Sequence, residues 1–469
     1  MRSKFFIILL FLVGWSAEAF CDSLKITINA PQLKNSEVAL CSYFNGKVYK
    51  KDSLQLSDQG AGTFVQAQKL DQGLYMIYVD STKYFDVLLS DDQVLQIEID
   101  TTDFIGKNKV SGAPQSVAFA GYVRFLSGKQ KERMKLFEQG KALQAENKDF
   151  SGVSEKLEHL NKEVQAFQDD FFARHQDQWV TIFFKGLELV STGPYPSPKT
   201  QDEAKKEFYY QKDHYFDNID LLDKRFWFTN YFPQKIESYI REQVESVPDS
   251  LANAASRLVA KTMKDTTCYQ LMLSKLTNYA LQSNIMGMEN VWAKLAEDYY
   301  LKGLAGWADS AFLSDIRSEY DKVRYNRIGM QAKDLPLQDS LNRKVQLYNI
   351  GRKYTLLVFF EPSCGHCKKE IPLFHDKLYE KYASKGLDVA CVYLLTDKKE
   401  WLDFVNEHHL HGTHWHNLWD PNRTSYYWKF YNTATTPSIY LLDENKKIIA
   451  KRLNDASLDQ LLDDLLKSD

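Results

Sequence analysis

Cysteine is scarce in this chain: six among 469 residues, too few and too scattered for a disulfide scaffold at this size. An excess of positive charge is missing too. With 59 Lys and Arg against 62 Asp and Glu, a formal net charge of -3, nothing supplies the basic field that a nucleic-acid partner requires. Past the N-terminus there is no uniformly apolar stretch of the roughly 20 residues that a spanning helix needs, so no transmembrane helix is expected in the mature chain. The one apolar run, Phe5 to Trp15, follows Arg2 and Lys4 and precedes the small-x-small set Ala17-Glu18-Ala19. This order reads as a secretory signal over residues 1–19 with cleavage after Ala19, and implies an exported protein of the periplasm or cell envelope. Cys21 raises the alternative of a lipid anchor, although Phe20 is bulky where lipoprotein processing takes a small residue. A Cys21 to Cys41 bridge is a further option in an oxidising compartment. Cys41, Cys268 and Cys391 sit in apolar surroundings and read as buried small hydrophobes.

At about 150 residues per domain the length suggests three domains, and the hydrophobic pattern changes twice along the chain. Residues 20–113 contain short alternating runs, among them Leu24 to Asn29, Glu37 to Phe44, Gly62 to Ala67, Leu74 to Asp80 and Gln93 to Ile99, punctuated by Gly46, Gly60 and Gly73. These predict an antiparallel β-sandwich or barrel with no catalytic constellation, a module for positioning or docking. Residues 114–325 read as a central all-α domain. Leu157, Leu160, Val164, Phe167 and Phe171 fall on one helix face, as do Phe119, Tyr122, Val123 and Leu126. Pro194, Pro196 and Pro198 forbid a continuous helix between Ser191 and Thr200. The aromatic stretch from Phe208 to Phe232 reads first as helical core, since aromatics at mixed three- and four-residue spacing usually fill cores. A ligand or partner surface is the competing reading.

Residues 326–469 carry the chemistry. Cys364-Gly365-His366-Cys367 follows directly on the buried apolar run Tyr354 to Phe360, and the spacing is that of a redox dithiol. Cys364 would sit at a helix N-terminus, where unpaired amides and the macrodipole favour its thiolate. Cys367, three residues on, shares that helix face and can close the disulfide, which makes it the resolving thiol. His366 sets an ionisable ring beside the thiolate, and stabilising the reduced form makes the couple more oxidising. The competing half of a zinc site lacks its second CxxC. Haem attachment would need His where Lys368 stands, and a peroxidase site of one cysteine beside a threonine is absent. Tyr354 to Phe360, Cys364 to Tyr382 and Leu387 to Leu395 predict a βαβ unit with parallel strands. A helix over Lys399 to His408, a hairpin over Ser438 to Leu442 and Lys447 to Lys451, and a closing helix over Ser457 to Leu466 complete an α/β domain.

These motifs, GMQAKDLPLQD from Gly329, FFEPSCGHCKKEIPLF and TTPSIYLLD, resemble the thioredoxin superfamily, in particular the TlpA/ResA-like thiol-disulfide oxidoreductases of bacterial envelopes. The similarity runs from about Ile328 to Lys467. The β-rich and helical regions resemble uncharacterised extensions fused to such domains. The resemblance implies a thioredoxin fold, an exchange reaction with protein thiol or disulfide substrates, an unidentified redox partner, and no cofactor or metal. Residue by residue it implies that Pro437 is the cis-proline facing the dithiol, leaving the Thr436 backbone free to pair with an extended substrate. It also implies that Glu370 accepts or relays the proton of Cys367, and that Pro372 kinks the first helix. Two positions depart from thioredoxin proper: Ser363 replaces its aromatic residue, and Val358 its buried aspartate. Glu370 is therefore the better proton acceptor. His408, His409, His411, His414 and His416 cluster in sequence, but no fixed helical pair marks them as metal ligands. The expected function is reduction of protein disulfides, with oxidation or isomerisation by the same residues, or a binding and adaptor role, as alternatives.

Overall fold

The computed structural model describes residues 24–188 and 193–467. The signal over residues 1–19, the anchor at Cys21 and its bridge to Cys41 fall outside the described residues. Among those residues, contacts divide the chain into two compact units, residues 24–188 with 216–234 and residues 193–215 with 235–467.

The first unit opens with β1 (Leu24–Asn29), β2 (Glu37–Phe44), β3 (Lys47–Gln55), β4 (Ala61–Gln66), β5 (Gly73–Asp80), β6 (Lys83–Leu89), β7 (Val94–Glu98) and β8 (Lys109–Gly112). They form two four-stranded sheets, β4-β1-β7-β8 and β3-β2-β5-β6. Alternation sends Leu24, Ile26 and Ile28 of β1 and Tyr75 and Ile77 of β5 into one shared core. One pairing departs from the antiparallel expectation: β1 and β7 run parallel, with Lys25 beside Val94 and Asn29 beside Glu98. Alternation tells which face a side chain occupies and is silent on the direction of the neighbour. The long connection between these strands permits the parallel return. Gly60 turns the chain at φ +77, where an added Cβ would lie 2.2 Å from the Ala30 carbonyl oxygen.

Helices follow: α1 (Pro114–Ala145), α2 (Ser151–Arg174), α3 (Trp179–Leu187), α4 (Gln201–His214), α5 (Phe232–Ser238), α6 (Pro248–Thr262), α7 (Thr266–Gln282), α8 (Met288–Leu295) and α9 (Ser310–Val323). The stripe on α2 faces inward: Leu160 and Phe171 are buried, and Leu157, Val164 and Phe167 half-buried. Tyr122 of α1 stacks on Phe184 of α3 at 3.8 Å between ring centroids. Residues 193–200 contain no helix, and α4 begins where the Thr200 hydroxyl accepts the Glu203 amide. Within the aromatic stretch Phe226, Trp227 and Phe232 are fully buried, which is the core reading; Tyr209 is exposed. Cys41, Cys268 and Cys391 are buried.

The second unit ends in a seven-stranded sheet of order β10-β9-β13-β12-β11-β14-β15. Its strands are β9 (Pro336–Asp339), β10 (Lys344–Gln346), β11 (Tyr354–Phe360), β12 (Leu387–Tyr393), β13 (Trp415–Trp419), β14 (Ser438–Leu442) and β15 (Ile448–Lys451). Its helices are α10 (Gly365–Leu373), α11 (Glu380–Tyr382), α12 (Lys398–Glu407), α13 (Tyr427–Phe430) and α14 (Asp455–Lys467). β11, β12 and β13 are parallel, and β14 runs antiparallel to β11. Leu356, Val358 and Phe360 point into one core and Leu357 and Phe359 into the other, so β11 is buried on both faces, as its unbroken apolar run requires. The helix expected over Cys364 to Tyr382 is continuous, with a π-helical stretch Phe374–Tyr379 after Pro372. A proline inside a helix has no N–H for its i−4 carbonyl, and the wider turn that follows absorbs the mismatch. β13 had no distinct sequence signal, because polar His416 and Asn417 interrupt its apolar residues.

Helices and sheet of the second unit are tied through buried polar groups. Lys451 Nζ, at the end of β15, lies 2.8 Å from Glu289 Oε1 of α8 and 2.6 Å from Asn326 Oδ1. Burial lowers the Lys451 pKa against the pull of Glu289. Lys451→Met would leave the Glu289 carboxylate and Asn326 without their cation. The expected cost is about 3–5 kcal/mol, read from denaturant unfolding followed by tryptophan fluorescence. Combining it with Glu289→Leu should recover most of the loss; a single variant as stable as the parent would show that the tie contributes nothing.

Candidate functional site

The turn Glu361-Pro362-Ser363 carries the chain from β11 to α10, and Cys364 is the N-cap residue with φ -76 and ψ 121. Its amide donates to the Glu361 carbonyl at 3.1 Å and its carbonyl accepts from the Lys368 amide at 3.1 Å. The sulfur is therefore held at the open end of the helix. Across from it, the Thr436-Pro437 peptide is cis, and the Cys364 thiol donates to the Thr436 carbonyl oxygen at 3.1 Å. The sheet sets this approach: β11 and β14 are neighbours with Val358 beside Ile439, so the segments leaving β11 and entering β14 meet at one edge.

The two thiols occupy opposite environments. Cys364 is half-buried, and its pKa is lowered, first by the Thr436 hydroxyl and then, against a burial penalty, by the amides of Cys367 and His366. Cys367 is fully buried among Val358, Ile371, Cys391 and Ile439. Burial pushes its pKa up to about 12. The outer sulfur is therefore the more readily ionised of the two, and the inner one the harder to ionise.

Where Val358 replaces an aspartate, the surroundings are apolar, with Cys391 as its partner on β12. Glu370 lies instead in an open cleft of about 340 Å³ beside His366, Thr436, Pro437, Asn432 and Arg452. Ser363 and His366 are exposed and Glu370 is half-buried. Asn432 and Arg452 carried no signal in the sequence, since each is far along the chain from the dithiol and only the sheet brings them to it. The five histidines do not converge. His408 packs on Phe404, with ring centroids 4.6 Å apart, and His409 and His411 are exposed. His414 Nδ1 and His416 Nε2 turn to Asp388 Oδ1 at 3.0 and 3.6 Å, and burial lowers the His416 pKa. Among the described residues no group of three or more His, Cys, Asp or Glu is arranged to hold a metal, and no helix is long and apolar enough to cross a membrane.

Comparison with known proteins bears on both ends of the chain. Residues 328–451 match the AhpC/TSA family, and residues 24–119 match a domain of unknown function, DUF4369. The chain is 26% identical over 138 residues to the thiol-disulfide oxidoreductase ResA of Bacillus cereus, a span of 29% of this chain and 75% of that protein. A solved domain of a possible thiol-disulfide isomerase from Cytophaga hutchinsonii is 34% identical, with 30% of this chain and 94% of that one covered and a TM-score of 0.28. A thioredoxin-like protein from Bacteroides caccae is 18% identical, with 59% of this chain and 98% of that one covered and a TM-score of 0.44.

The unequal thiols predict unequal alkylation. Iodoacetamide should modify Cys364 with a pH midpoint below the usual cysteine value of about 8.5, while Cys367 resists into strongly alkaline solution. Thr436→Val removes the hydroxyl that most favours the thiolate and should move the Cys364 midpoint upward. Mass spectrometry of the labelled peptides distinguishes the two sites, and equal labelling of both cysteines at neutral pH would contradict this.

Proposed function

From a C-terminal domain that is thioredoxin-like and of the AhpC/TSA family, with thiol-disulfide oxidoreductases as its relatives, we propose that the protein reduces disulfides of exported polypeptides through Cys364 and Cys367. The observation that carries this reading is the division between a half-buried, ionisation-prone thiol and a buried, protonated one three residues on. The Cys364 thiolate attacks one sulfur of a substrate disulfide; a mixed disulfide forms and the other substrate sulfur leaves as thiolate. Cys367 then gives up its proton and attacks the Cys364 sulfur. The second substrate sulfur departs, and the enzyme holds the Cys364–Cys367 disulfide while the substrate has gained two electrons. A thiol-bearing redox partner must return those electrons.

Each remaining group has a place in this sequence. Cys367 is the step that needs help, since a thiol with a pKa of about 12 is not ionised at neutral pH. Glu370 lines the same cleft and serves as the proton acceptor. The backbone at Thr436, next to the cis-proline, offers its polar groups to an extended substrate segment, and exposed His366 sits beside the mixed disulfide. No step calls on a metal or an organic cofactor. Location in the periplasm or envelope follows from the N-terminal signal reading, and the β-rich region, which we take as a sandwich of its two sheets, has a docking role.

One observation favours the opposite direction of electron flow. A lowered Cys364 pKa stabilises the reduced enzyme, which makes the couple more oxidising. The dithiol potential decides between them: about -270 mV marks a reductant, and about -120 to -180 mV an oxidase or isomerase.

Reduction of insulin with dithiothreitol as the electron source tests the reading. Cys364→Ser should abolish turnover, and Cys367→Ser should accumulate mixed disulfides visible on a non-reducing gel. Glu370→Gln should slow release of the substrate from the mixed disulfide by about 100-fold, the lower range for a positioned acid or base. A Cys364→Ser protein as active as the parent would sink the catalytic reading and leave a binding role.

A further inference from the structure

The dithiol cleft is not closed on the side of Arg452. A second cavity, of about 430 Å³, shares Asn432, Arg452 and Leu453 with it, so the two spaces adjoin at these residues. The far wall of that space belongs to the helical region: it is the end of α7 and the connection to α8, including Leu281, Ile285 and Met286. These three side chains are 44%, 47% and 44% exposed, an unusual density of large apolar surface within a few residues.

Charge in this second cavity is mostly cancelled. Lys451 is bound to Glu289, and Lys322 to Glu319. Arg452 lines both cavities, is exposed, and has no carboxylate partner among the described residues. Its backbone is in the left-handed region at φ 59, which a non-glycine residue adopts only where its surroundings hold it there. One anchor is its amide, which donates to the Ile439 carbonyl at 3.2 Å. The guanidinium is thus presented between the dithiol and the apolar wall as an open fork of donors suited to a carboxylate.

We propose that the joined cavities seat the substrate polypeptide: Arg452 binds an acidic side chain near the substrate cystine, and Leu281, Ile285 and Met286 take an apolar side chain beyond it. The substrate class is an extended, disulfide-bearing polypeptide with an acidic and then an apolar residue flanking the cystine. This rests on the oxidoreductase reading and extends it by assigning the helical region a part in substrate choice. Continuity with the dithiol, the uncompensated cation and the apolar wall are independent features that favour the same occupant.

The test uses the full chain and three synthetic peptides carrying one cystine, identical except for Asp, Asn or Lys at the flanking position, each followed by Leu. The parent should favour the Asp over the Lys peptide in kcat/KM by about fivefold, the upper range for one solvent-accessible ion pair. Added salt should shrink that ratio. Arg452→Asn keeps a residue that tolerates the left-handed backbone and should bring the ratio to about one, whereas Arg452→Glu should invert it. With a fourth peptide that carries Ser in place of Leu after Asp, the parent should favour Leu over Ser, and Ile285→Ser with Met286→Ser should erase that difference. A parent with no Asp preference, or an Arg452→Asn variant that keeps it, overturns the inference while leaving the oxidoreductase reading intact. A parent that reduces neither insulin nor any peptide overturns that reading, and the inference with it.

Discussion

The contact between the Cys364 sulfur and the Thr436 carbonyl, 72 residues apart in sequence and 3.1 Å apart in space, is the constraint on which the site depends. It exists because β11 and β14 are antiparallel neighbours in fixed register, which brings the exit of one strand and the entry of the other to a common edge. From this one approach follow which thiol ionises more readily, the position of the Thr436 hydroxyl that favours its thiolate, and the placement of the cis Thr436-Pro437 peptide across from the dithiol. Moving the register by one residue would turn the segment before β14 to the other face and undo all three.

Depth then separates the roles of two identical side chains. Cys364 is held at the mouth of the cleft by the end of its helix, and Cys367, one turn further, is in the apolar layer with Val358 and Cys391. With apolar Val358 in that layer, burial makes the inner thiol hard to ionise. Glu370 is the half-buried carboxylate that lines the cleft with His366, Thr436 and Pro437. Packing and ionisation are thus coupled: the same burial that stabilises the domain core keeps the inner thiol from ionising.

Lys451 at the end of β15 and Arg452 just after it are two consecutive cations in different surroundings. Lys451, the last residue of the strand, is buried against Glu289 and Asn326, while Arg452, past the strand end with its backbone at φ 59, is exposed at the cleft. Arg327 also pairs with Glu297 at 2.7 Å, and the Asn290 side chain donates to the Ile328 carbonyl at 2.9 Å. The change of pattern near residue 325 is therefore not a break in contacts. α8 is thereby held to the sheet.

By itself the sequence determined the parts whose signal is local. The alternation in β1 and β2, the unbroken apolar run of β11, the stripe of α2 and the spacing of Cys364 and Cys367 each report a geometry that repeats within a few residues, and resemblance supplied Pro437 beside the dithiol. What tertiary structure alone decided involves partners distant in sequence: the parallel pairing of β1 with β7, the strand Trp415–Trp419 hidden by its polar residues, the turn of His414 and His416 to Asp388, and the arrival of Asn432 and Arg452 at the cleft. The physical reason is the same in each case. Periodicity and spacing fix which face a side chain takes on its own element, whereas the group it meets there depends on how strands order and register across the whole domain, and no local pattern encodes that.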